Sequence, residues 1–132
     1  MVKRVLIAFL LLDSIAIFGI WAISLTSGAF EESLLTYQLQ GTVPAGHLVA
    51  EFLMASVTLA GAIGWGVGAR WGRGLTLFGL GMFTYSSINS LGWALYNDPA
   101  VAIPMVLTLG VAAVAVPYLM RHEKVNQTVC CL

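Results

Sequence analysis

Charge is what this sequence has least of. Lys, Arg, Asp and Glu make up 9% of its 132 residues, against about a quarter in an ordinary soluble domain. With 59% hydrophobic residues and a mean hydropathy of +0.91, a soluble globular domain is excluded and a lipid bilayer is the expected solvent. Cysteine is confined to the adjacent pair Cys130 and Cys131 at the C-terminal end. No thiol lies in an apolar stretch, which argues against a thiol-disulfide membrane enzyme, whose redox cysteines must face a quinone or a loop substrate. The ending Val129-Cys130-Cys131-Leu132 also misses the prenylation pattern, with its Cys four from the end. Histidine is limited to His47 and His122, expected at opposite ends of the molecule and unable to share a haem. No nucleophile constellation, phosphate-binding glycine loop or zinc-protease signature is present, so no catalytic residue is assigned and no cofactor is indicated. The basic residues number six, too few and too regularly placed to make a nucleic-acid surface.

Their placement is informative instead. Four apolar stretches, Val5–Leu25, Gly46–Gly68, Gly74–Tyr96 and Val101–Met120, each approach the roughly 20 residues that a spanning helix needs. Lys3 and Arg4 precede the first, Arg70 and Arg73 separate the second from the third, and Arg121 and Lys124 follow the fourth. Under the positive-inside bias every basic residue then falls on one side. The expected fold is all-α, a four-transmembrane-helix up-down bundle with both termini cytoplasmic, integral to the cell membrane. It forms a single domain over 1–125 with a C-terminal tail over 126–132. Glu31, Glu32 and Asp98 fall on the outer side. The length of the first stretch and the Asp13 inside it favour a retained helix over a signal peptide.

The short connections 69–73 and 97–100 make spans two-three and three-four antiparallel neighbours. In the longer 26–45 connection, Phe30, Leu34 and Tyr37 recur at helical spacing, which predicts a short interfacial helix. Val57, Gly61, Gly64 and Gly68 form a small-residue stripe on span two, where another helix can approach closely. Trp65, Trp71, Trp93, Tyr96 and Tyr118 sit near span ends as interfacial anchors. In span four, Pro104 and Pro117 release the carbonyls of Ala100 and Ala113.

Two carboxylates lie inside spans, where each costs about 2.5–3.5 kcal/mol near a helix centre. Helix rise puts Asp13 roughly 18 Å below the outer end of span one and Glu51 only about 7–8 Å into span two. On span two, His47, Glu51, Met54 and Thr58 share a stripe; on span three Tyr85, Asn89, Trp93 and Tyr96 do, with Ser86 at its edge. Facing each other within the bundle, these stripes would line a polar pocket in its outer half. The candidate ligand-binding residues are therefore Glu51, Asn89, Tyr85, His47, Thr58, Ser86, Trp93 and Asp13. The same polar groups could serve as packing glue. His47 and Glu51, four apart, supply two donors of a metal site but no third, so no metal is assigned, and an interfacial His47 bonded to Glu51 is the simpler expectation. Asp13 is expected to be neutral and to donate to the freed carbonyl of Ala113. The function expected is binding or transport of a small ligand, proton or cation. The alternative is a non-catalytic subunit of a larger membrane complex, and a homo-oligomer or such a complex is the expected state.

Overall fold

The computed structural model of the chain describes residues 1–27, 44–97 and 99–129. Four helices run through them in order: α1 (Val2–Thr26), α2 (Pro44–Gly66), α3 (Gly72–Asn97) and α4 (Pro99–Val129). Within three of them, Val2–Ile23, Gly46–Gly66 and Ala102–Arg121 are long and apolar enough to cross a membrane. α3 has the length, at 26 residues. Its Thr76, Thr84, Tyr85, Ser86, Ser87, Asn89 and Ser90 make it the most polar of the middle helices. The interfacial helix expected over 26–45, with Phe30, Leu34 and Tyr37, lies almost wholly outside the described residues, as do Glu31, Glu32, Asp98, Cys130 and Cys131.

Consecutive helices pack against one another, α1 on α2, α2 on α3 and α3 on α4. The circuit closes through a buried cluster in which Leu6 and Leu10 of α1 meet Ala62, Leu80, Ala112, Ala115 and Leu119. The alanines let α4 come near leucines of its neighbours, and van der Waals contact of this kind is what holds apolar helices together in lipid. Ring contacts fix the register. Phe18 meets Phe52 at 5.4 Å and Trp21 meets His47 at 6.0 Å between centroids, so α1 and α2 run antiparallel. At the other end Lys3 lies 5.7 Å over the Trp65 ring and Trp65 packs 6.3 Å from Tyr118. The fold thus brings Lys3 to the same end as the 67–71 turn, with its Arg70, and the C-terminal half of α4. Trp65 and Tyr118 are half-buried in this contact, more than surface anchors would be.

The α2–α3 turn is set by glycine. Gly68, at φ +79, ends α2 in a Schellman arrangement: Ala69 N donates to Gly64 O at 2.8 Å and Gly68 N to Trp65 O at 3.3 Å, satisfying carbonyls that a helix end leaves open. Gly68 therefore stops the helix and does not extend the packing stripe, as its spacing had suggested. The close approach falls on Gly61 and Gly64 instead. A Cβ on Gly61 would lie 2.6 Å from Thr76 N, and one on Gly64 would strike the Trp71 ring at 2.5 Å. Opposite them Gly79 receives Thr58, so glycines from both helices make one tight seam. At the far end of the chain, α4 passes through Pro104 and Pro117 and continues to Val129. Residues 126–129, within the expected C-terminal tail, are helical.

Candidate functional site

The seam that joins α2 to α3 also orients the residues beside it. With Thr58 pressed on Gly79 and Gly61 on Thr76, the stripe one turn around each helix lies on the flank of the pair. His47, Ala50, Glu51 and Met54 of α2 and Leu77, Phe78, Gly81, Met82, Tyr85, Ser86 and Asn89 of α3 line a groove there of about 600 Å³. Ser86 Oγ donates to Glu51 Oε1 at 2.5 Å across it. Both side chains are half-buried. The bond joins side chains of two different helices.

The groove opens sideways. Tyr85 is 76% exposed, and His47 and Asn89 are exposed as well. The expectation that these residues face one another on a pocket within the bundle is therefore corrected: Glu51, His47, Tyr85, Ser86 and Asn89 are brought together, but on the outer flank of the bundle. The reason is the glycine seam, which uses the neighbouring faces of α2 and α3 for packing. Thr58 belongs to that seam. It is fully buried against Gly79 and is absent from the groove, so its assignment to the site is also corrected. Ser86, placed at the edge of its stripe by spacing, is the residue in direct contact with Glu51. His47 takes the Trp21 ring as its neighbour, while the bond to Glu51 comes from Ser86. The side chain of Trp93 lies outside the described residues. No group of three or more metal-type ligands occurs among the described residues.

Asp13 stands apart from the groove. Its carboxyl meets the Thr108 hydroxyl of α4. Ala113, its expected partner, lies 140° further round α4 at about 100° per residue and is exposed. Thr108 Oγ1 in turn donates to Pro104 O at 3.0 Å. Asp13 Oδ2, Ser14 Oγ and Thr58 Oγ1 are buried without a hydrogen-bond partner among the described residues.

Sequence reasoning missed the inner half of the groove, Leu77, Phe78, Gly81 and Met82. The signal was available: these positions continue the Tyr85, Ser86 and Asn89 stripe inward at helical spacing. Apolar residues in an apolar helix carry no mark of a ligand.

A family model described as a domain of unknown function, DUF8058, matches residues 1–129, and the chain belongs to that family. No curated protein and no solved structure matches it.

Proposed function

We propose that this member of the DUF8058 family is a four-span protein of the cell membrane, with both termini cytoplasmic, that holds a small ligand at Glu51 in the α2–α3 groove. The observation that carries this reading is the Ser86–Glu51 bond in the wall of a groove of ligand size. Interhelical polar pairs in membranes average about 0.6 kcal/mol, and a carboxylate near a helix centre costs several times that. Packing alone gives no return on Glu51 that a serine or threonine would not give more cheaply. A ligand does. Drug-sized sites occupy about 300–1,000 Å³ and combine an apolar lining with a few polar groups, as this groove does. The four-span reading with α3 as a span draws support from its length and from the shared end reached by Lys3, Trp65 and Tyr118.

Filling the groove tests the proposal. A Cβ added at Gly81, in the groove lining, meets nothing within 4 Å, so Gly81→Leu should occupy the cavity without disturbing the seam. Protein extracted directly into lipid nanodiscs should carry a small molecule, detected by mass spectrometry, that falls at least tenfold in Gly81→Leu. Equal small-molecule content in both, with foreign polypeptides at fixed stoichiometry, would instead favour an accessory subunit of a larger complex.

A further inference from the structure

The groove is chemically uneven along its length. His47, Glu51, Ser86 and Asn89 occupy the end nearer the α3 C-terminus; Met54, Leu77, Phe78 and Met82 line the other. About 13 Å of helix, at about 1.5 Å per residue, separate Ser86 from Leu77. A ligand that fills it carries a polar head and an apolar tail directed towards the 67–71 turn. Because the groove opens sideways, with Tyr85 exposed, such a molecule can enter from the lipid without leaving it.

The head is defined by charge. Glu51 is the charged residue of the lining, and every Lys and Arg of the sequence lies towards the opposite ends of the helices. No Lys or Arg is therefore placed to neutralise it, His47 of the same lining packs against the Trp21 ring, and Ser86 supplies a neutral donor. A carboxylate withdrawn from water requires a cation or several donors. Tyr85, next in sequence to the Ser86 that bonds Glu51, adds an aromatic residue to the same lining. A carboxylate next to an aromatic face is the combination that attracts quaternary ammonium groups. We infer that the occupant is a cationic amphiphile, its ammonium head between Glu51 and Tyr85 and its chain along Met54, Phe78 and Met82.

This inference rests on the groove being a binding site, and the experiment separates the two. The protein in zwitterionic nanodiscs is exposed to two photoreactive probes with identical diazirine-bearing dodecyl tails. One ends in trimethylammonium, the other in a hydroxyl. Cross-linked peptides are mapped by mass spectrometry. The ammonium probe should label residues 50–54 and 77–82 at least tenfold more than the alcohol at equal membrane content. Glu51→Gln, whose amide oxygen still accepts from Ser86, should erase that preference, and Gly81→Leu should suppress labelling by both. Equal labelling by the two heads, unchanged in Glu51→Gln, would overturn the cationic assignment and leave the groove reading standing. No labelling of these segments by either probe, with Gly81→Leu indistinguishable from the parent, would overturn both.

Discussion

Asp13 and Glu51 are the same chemistry in two settings. Glu51 keeps an opening to the outside of the bundle and a bond to Ser86, whereas Asp13 is matched to a hydroxyl that already donates to Pro104. We therefore expect Asp13→Asn to leave folding and small-molecule content unchanged, because a side-chain amide offers the Thr108 hydroxyl both an acceptor and a donor. A folded Asp13→Asn protein that has lost its bound molecule would move Asp13 from scaffold to site. Thr108→Val should cost about 1 kcal/mol, the usual loss when a buried polar group is left without its partner, read as a lower midpoint in denaturant titration with the groove unaffected. The sequence showed that both carboxylates needed a partner. It did not show which: Asp13 finds Thr108 rather than Ala113, and Glu51 finds Ser86 rather than His47. Periodicity assigns a residue to a face of its own helix, but the partner depends on how far a second helix is rotated, and that rotation is settled by contacts distant in sequence.

The rotation of α2 against α3 is set by small residues, and there the sequence was more explicit. Gly61 and Gly64 stood out as a close-packing stripe and are the positions where α3 presses in. Thr58 shared a stripe with Glu51 by spacing, yet turned into the seam because Gly79 opposite it leaves room. Gly61→Ala puts a methyl 2.6 Å from backbone that cannot yield as a side chain would, so overpacking of about 1–3 kcal/mol is expected. Gly81→Leu, facing open space, should be neutral by the same unfolding measurement. Gly68→Ala, at positive φ, should cost about 1 kcal/mol by straining the turn. A stability loss in Gly81→Leu equal to that in Gly61→Ala would contradict the distinction between seam and groove.

At the scale of the whole molecule, the four helices were legible because each is one long run of largely apolar residues, three of them long and apolar enough to cross a membrane. The lateral position of the groove was not, since nothing in a single helix pattern tells a bundle-facing stripe from a flank-facing one. Orientation is the prediction that belongs here. Single cysteines in place of Arg70 and Lys124 should react with a membrane-impermeant maleimide only after the inner side is exposed, and those at Glu31 and Asp98 from outside without that step. Reaction of the Glu31 and Arg70 positions from the same side would overturn the four-span arrangement.

The polarity of α3 has a consequence for how the protein is made. Of the inner helices it is the one least suited to entering a bilayer alone, and its buried Thr76 and its Ser86 find their places against α2. In the four-span reading the two helices, joined by the short 67–71 turn, make a hairpin whose second arm would enter the membrane best once the first was already there. During synthesis α3 would then wait at the insertion machinery for its predecessor, and a fault in their seam would be met by quality-control proteases before any ligand was. Cellular abundance should accordingly fall for Gly61→Ala and hold for Gly81→Leu, although only the second alters the groove itself.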